Sequence, residues 1–138
     1  MISTKDAERV ESWIKGAVNG GAHLVTGGSR TGALLAPAIV ADAKPEMKIS
    51  WEELPGPAVA VTALDTIEEG IALVNDSKYG LGAGIFTRDI GNAFRFAREV
   101  QTGTVQINWT PLWRADFMPY GGLKGAGLGE KARDMQSK

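Results

Sequence analysis

Few side chains in this sequence could do covalent chemistry. It contains no cysteine, which leaves no thiolate nucleophile, no disulfide framework and no thiolate metal site. Its single histidine, His23, is too few for a histidine zinc site. With no carboxylate beside it to orient a ring nitrogen, His23 reads as an edge or surface residue rather than a base. No catalytic group and no metal site is therefore expected. Three groupings remain. Glu52-Glu53 precede Leu54-Pro55-Gly56-Pro57, and paired carboxylates beside two prolines suit either a solvated turn or a carboxylate held stiffly enough to grip a ligand hydroxyl. The loop Trp109–Met118 carries Trp109, Trp113, Phe117, Arg114 and Asp116. Its aromatics either bury a long connection, with Arg114 and Asp116 paired at the surface, or form an apolar pocket wall with one positive group to orient a substrate. The third grouping is Met118–Gly129, with five glycines from Gly121 onward interleaved with Pro119, Tyr120, Leu123 and Leu128. Glycine at that density opposes a helix or strand and suits a tight path passing close to another segment. Its spacing is not the dinucleotide fingerprint, and no strand directly precedes it.

The elements that must hold these groupings follow from periodicity. Residues 5–19 place Ala7, Val10, Ile14, Ala17 and Val18 at helical spacing, with Ser3 and Asp6 as a capping pair and Gly20-Gly21 as the stop. His23–Thr26 reads as a short strand. Leu34–Val40 reads as a second, which Pro37 should confine to an edge or a bulge. A long connection, 41–57, leads to Ala58–Leu64, the best candidate for a strand buried on both faces. Thr66 and Glu69 cap a helix running to about Asn75, with Ile67, Ile71 and Val74 inward. Gly82–Phe86 is a strand. Asp89 caps a helix over about 90–101 with Ala93, Phe94, Ala97 and Val100 inward, and Gly103 ends it ahead of the strand Thr104–Asn108. The alternation from 58 to 108 predicts an α/β chain with a mostly parallel sheet and flanking helices. In such sheets ligands sit beyond the carboxyl ends of strands, which singles out Asn108 and the loop after it.

Composition bounds the function class. With 43% hydrophobic and 22% charged residues and a formal charge of −1, the chain is packed, and global charge does not make it a nucleic-acid binder. No run approaches a membrane span, and Asp6, Glu8 and Glu11 interrupt any signal sequence. A cytoplasmic location with no nucleic-acid or membrane partner is the expectation.

Six blocks, taken together, resemble the NAD(P)-dependent aldehyde dehydrogenase superfamily. Ala22–Gly28 resembles the family strand ending in Gly-Gly, and Pro37-Ala-Ile-Val40 its following strand. Glu52-Glu-Leu-Pro-Gly-Pro57 is similar to the family's Glu-Glu-Ile-Phe-Gly-Pro. Asn75–Leu81 with Gly84–Arg88, and then Gly103–Asn108, resemble further blocks. Pro119-Tyr-Gly-Gly-Leu-Lys-Gly-Ala-Gly-Leu-Gly129 is close to Pro-Phe-Gly-Gly-x-Lys-x-Ser-Gly-x-Gly. The resemblance implies oxidation of a small aldehyde to an acid or acyl product, with attack by a cysteine thiolate and hydride passing to NAD or NADP. It implies that Glu53 holds the nicotinamide ribose hydroxyls. Asn108, Trp113, Arg114 and Tyr120 would lie around the substrate tunnel, with Arg114 and the segment Asp116–Pro119 resembling the subset acting on small hydroxylated or anionic aldehydes.

The same resemblance places the cysteine, the general-base glutamate and the dinucleotide-binding half upstream of Met1, and the subunit-joining strand beyond this chain. Pro55 stands where the family has a nicotinamide-packing phenylalanine, Ala126 replaces a serine, and Glu130–Lys138 departs from the family tail. Residues 1–138 are therefore expected to be one partial α/β catalytic domain, the C-terminal segment of the family's domain. It would be inactive alone and bind NAD or NADP weakly or not at all. Its partners would be a missing N-terminal half or further copies of itself. The alternative is a non-catalytic, self-associating structural or interaction module.

Overall fold

A computed structural model describes residues 1–127. They fall into two compact units, one from Met1 to Ala63 and the other from Leu64 onward, each with its own apolar cluster. Leu128, Gly129 and the departing tail Glu130–Lys138 lie outside the described residues.

The first unit begins with an extended Ser3 whose Oγ accepts the Asp6 N–H at 3.1 Å and starts α1 (Thr4–Asn19). Ala7, Val10, Ile14 and Ala17 are buried at spacings of three and four, so one stripe of α1 faces the core. Gly20 closes the helix, and Gly21, at φ 100, turns the chain into β1 (His23–Thr26). A hairpin of β2 (Arg30–Thr31) and β3 (Leu34–Leu35) follows, with Gly32 at φ 58 supplying the first turn position. β4 (Ala38–Ala41) lies between β1, antiparallel, and β5 (Ala58–Ala60), parallel; the crossover from β4 to β5 carries α2 (Lys48–Trp51). Ala38 and Val40 point into the cluster with Val10, Ile14 and Ile49. Val10 and Val40 are wholly buried, and each side chain contributes about 1.5–3 kcal/mol by leaving water. At the helix surface Arg30 Nε meets Glu11 at 2.7 Å and Lys15 Nζ meets it at 2.8 Å. The Lys15 bond first, and the Arg30 bond next, hold the Glu11 carboxyl below its ordinary range.

The second unit starts with Thr66, whose Oγ1 accepts the Glu69 N–H at 3.2 Å, while Glu69 Oε2 accepts the Asp65 N–H at 3.0 Å. This reciprocal cap opens α3 (Ile67–Asp76). β6 (Tyr79–Gly80) and β7 (Gly82–Ile85) follow. Asp89 accepts from Gly91 and Asn92 to start α4 (Ile90–Glu99), which leads to β8 (Thr104–Ile107), parallel to β7. β9 (Leu123–Lys124) returns antiparallel to β6. Ile71, Phe96 and Val100 form the core with Ile67, Val74, Ala83, Ile85 and Val105 around them. Arg95 of α4 pairs with Glu68 of α3.

Several expectations are corrected. The sheet is not mostly parallel: the α/β chain forms several small sheets, and of the five pairings among the described residues only β4–β5 and β7–β8 are parallel. Parallel pairing needs a crossover of a dozen or more residues, which the α2 and α4 segments provide. The chain from β1 to β4 instead passes through a hairpin, and β6 finds its partner in the glycine-rich segment. Pro37 itself lies in no strand. It divides the expected strand in two, because Ala36 N–H bonds Ser29 (2.9 Å) while Ala38 N–H bonds Pro57 (2.9 Å), and the half after Pro37 is the central strand. β5 stops at Ala60 and is not buried on both faces, Val59 being 59% exposed. On α4 the inward face is Ala93 and Phe96, with Val100 buried just past its end and Phe94 and Ala97 turned to solvent. The helix ends at Glu99, before Gly103. Among the described residues no helix is long and apolar enough to cross a membrane.

Candidate functional site

The glycines of the second unit mark close backbone contacts. A Cβ on Gly103 would overlap the Gly121 carbonyl, and one on Gly80 would overlap the Gln101 carbonyl. Gly103 N–H donates to Gly80 O at 3.0 Å, and Gly125 N–H donates to Lys78 O at 3.0 Å. Gly121 and Gly122 thus pass against the start of β8, where no side chain would fit.

This path brings Met118, Pro119 and Tyr120 to the side of a groove of about 510 Å³. The remaining lining comes from Leu81 and Gly82, from Thr104 and Gln106 of β8, and from Pro111–Arg114 of the following loop. The loop is shaped by its own bonds. Trp113 N–H donates to Thr110 O at 3.2 Å, and Gln106 Nε2 donates to the Trp113 carbonyl at 3.2 Å, tying the loop back to β8. The Arg114 guanidinium lies 4.6 Å from the centre of the Tyr120 ring. Among the described residues no carboxylate pairs with it, and Asp116 is exposed two residues away. The arrangement is one cation, braced on an aromatic face, in a groove that is otherwise largely apolar. It can attract and orient a small anion.

Of the residues singled out from sequence, Trp113, Arg114 and Tyr120 come together in this groove. Asn108 is not among its lining residues. Its backbone is left-handed at φ 56, its N–H donates to Ile85 O at 2.7 Å, and its amide makes both bonds to the Thr87 backbone, at 2.8 and 2.9 Å. The side chain therefore continues the β7–β8 ladder for one more step. Gln106 and Thr104 were missed, although strand alternation two and four residues before Asn108 puts them on one side. Gly82 was missed too: its bare α-carbon faces Thr104 and Pro111, and a Cβ there would stand 3.1 Å from Thr104 Oγ1.

Glu53 belongs to the first unit, exposed in the loop after α2 and followed by Leu54 and the ring of Pro55. No hydrogen bond or ion pair to another described residue engages its carboxylate. Its two carboxylate oxygens, on a proline-stiffened loop, are acceptors only. His23 is exposed on β1, an outer strand of its sheet. Among the described residues no three His, Asp or Glu side chains cluster closely enough to hold a metal ion.

Comparison with known proteins fits this geometry into a larger frame. The profile of the aldehyde dehydrogenase family matches residues 1–137. A 3-sulfolactaldehyde dehydrogenase of Priestia megaterium is 47% identical over 131 residues, covering 95% of this chain and 28% of that protein. An aldehyde dehydrogenase of Physcomitrella patens, solved with the reaction product succinate, superimposes with a TM-score of 0.89 at 38% identity, over 97% of this chain and 29% of that one. A glyceraldehyde-3-phosphate dehydrogenase of Methanocaldococcus jannaschii, solved with NADP, gives 0.88 at 34% identity, over 96% and 30%. The chain spans less than a third of the length of these relatives.

Proposed function

The chain belongs to the aldehyde dehydrogenase family, and on that premise we propose that it is the C-terminal part of an NAD(P)-dependent enzyme oxidising a small anionic aldehyde. Both units would belong to one partial catalytic domain. The observation that carries the reading is Arg114, stacked on Tyr120 in the groove with no carboxylate partner among the described residues. A guanidinium so placed binds an oxyanion through two parallel N–H donors, while Trp113 and Tyr120 exclude water from the rest of the substrate. Two of the relatives favour a charged substrate: 3-sulfolactaldehyde carries a sulfonate and succinate a second carboxylate, each remote from the reacting carbon. Glu53 would hold the nicotinamide ribose, and the nicotinamide, when bound, accepts the hydride. NAD and NADP are both compatible with a contact made at that ribose.

Titration with succinate, followed by the indole NMR signal of Trp113, tests the groove. Saturable shifts in the millimolar range are expected. 1,4-Butanediol, of similar length and uncharged, should give none, and Arg114→Ala should weaken succinate binding by about tenfold, the equivalent of one exposed charge-assisted contact. Equal responses to both probes, or to wild type and variant, would remove the anion-binding role.

A second reading has its own support. Ile39 of β4 sits beside Val59 of β5 in register, and both are exposed, as is Val61 just beyond. Three β-branched side chains on one uncovered face favour self-association. Light scattering over a dilution series at micromolar concentration should show a dimer or larger species, and Val59→Lys should shift it toward monomer. A monomer at every concentration overturns this reading.

A further inference from the structure

We infer that Lys124 is a positioning residue for the groove: its ammonium closes the carboxyl end of α3 and so fixes the glycine-rich segment that carries Tyr120. The inference rests on the reading of the groove as a substrate wall. Lys124 Nζ donates to the Asn75 carbonyl at 2.6 Å and to the Ser77 carbonyl at 3.0 Å, across nearly fifty residues of chain. Carbonyls at a helix carboxyl end lack partners within the helix and carry its partial negative charge, so a cation there is doubly favoured. Lys124 itself is left-handed at φ 54, a conformation that disfavours any residue with a Cβ and persists only where surroundings hold it. Here those surroundings are the two ammonium bonds, the pairing of Lys124 with Tyr79, and the Gly125 bond to Lys78 O.

The anchor is also well connected. Asn75 donates through Nδ2 to Glu99 O at 2.8 Å and accepts through Oδ1 from Gln101 N at 2.7 Å. One residue thus joins the end of α3, the exit of α4 and, through its carbonyl, Lys124. From Lys124 only Leu123 and two glycines separate this junction from Tyr120, on whose ring Arg114 lies. Gly121 and Gly122 have no side chains with which to anchor themselves. Lys124 is not itself an anion contact, since it is absent from the groove lining and its ammonium is engaged with carbonyls.

The test combines amide hydrogen exchange with the succinate titration on the full chain. In Lys124→Met, exchange at Gly103 and Gly125 should accelerate about tenfold, and succinate affinity should fall by a similar factor, as expected for a local opening. Exchange at Ile71 and Phe96, and throughout α1, should stay at wild-type rates. Lys124→Arg, which keeps the cation, should restore both properties. If Lys124→Met loses the second unit altogether, Lys124→Gln is the milder probe, reaching a carbonyl without charge, and intermediate exchange at Gly125 is expected. Wild-type exchange at Gly103 and Gly125 in the Met and Gln variants overturns the inference, and so does acceleration spread equally over Ile71 and Phe96. Should the wild-type chain bind no succinate, the proposed function falls while the exchange measurements still decide the role of Lys124.

Discussion

Gly103→Ala is expected to lower the melting temperature of the second unit by roughly 10–20 °C, the equivalent of about 3 kcal/mol in a domain of this size. The cause is collision rather than conformation. Gly103 does not occupy the left-handed region, yet a Cβ there overlaps the backbone carbonyl of Gly121. A flexible side chain would move aside, but a carbonyl moves only with its chain. Displacing it would strain the Gly103 bond to Gly80 and the pairing of β6 with β9, both of which close the same corner. Overpacking of a rigid contact costs about 1–3 kcal/mol by itself, and the lost hydrogen bonds add to it. Gly16→Ala is the matched control. Gly16 lies within α1 with nothing near the position of a Cβ, so the same change there should stabilise the first unit by up to about 1 kcal/mol. Thermal unfolding of the two variants should shift in opposite directions. A Gly103→Ala protein melting like wild type would show that the Gly121 segment yields easily and does not shape the groove.

The sequence made the starts of α1, α3 and α4 legible because each is a local bond between a side-chain oxygen and an N–H a few residues on, whereas α2 opens at Met47 with no side-chain cap and lay hidden in the connection 41–57. Ser3, Thr66 and Asp89 all cap as their spacing requires. It made the groove partly legible for a similar reason: Trp113, Arg114 and Tyr120 are residue types with little use in an ordinary connection. What it hid was set by distant partners. The number of parallel pairings depends on which strands meet, and β6 meets a strand more than forty residues away. Phe94 and Phe96 are equally apolar, and only the direction in which α4 packs decides that Phe96 goes inward. Asn108 stood out by its place at the carboxyl end of a strand, but the left-handed backbone that turns its amide onto Thr87 was not legible. The glycine-rich segment was recognisable as a close passage, whereas its partner, Gly103, was recognisable only as a helix stop.

The isolated chain is expected to reduce neither NAD nor NADP when supplied with propanal, lactaldehyde or glyceraldehyde. Enzymes of typical power exceed the uncatalysed rate by at least about a millionfold, so the expected loss is the whole of the activity. Covalent attack on a carbonyl needs a nucleophile with a base to activate it. The sequence has no cysteine. Its one histidine is exposed on an outer strand, and several hydroxyls are already committed: Ser3, Thr66 and Thr87 accept backbone N–H groups, and Thr62 donates to Ala43. Arg114 offers only N–H donors, which can orient an anion but give a hydroxyl no acceptor for its proton. Cofactor binding should fail for a separate reason. Association costs at least about 4 kcal/mol in lost translational and rotational freedom, and one ribose clamp at Glu53 returns too little to bring affinity below about 1 mM. Initial-rate assays with both cofactors, paired with titration calorimetry, test the two statements independently. Micromolar NAD or NADP affinity without turnover would show that this chain holds more of the cofactor than Glu53 alone, and Pro55 would be the first position to substitute. Aldehyde-dependent reduction that persists through repurification would mean that a hydroxyl in this chain is activated in a way its hydrogen bonds do not reveal, and the proposal of a wall without its own nucleophile would be wrong.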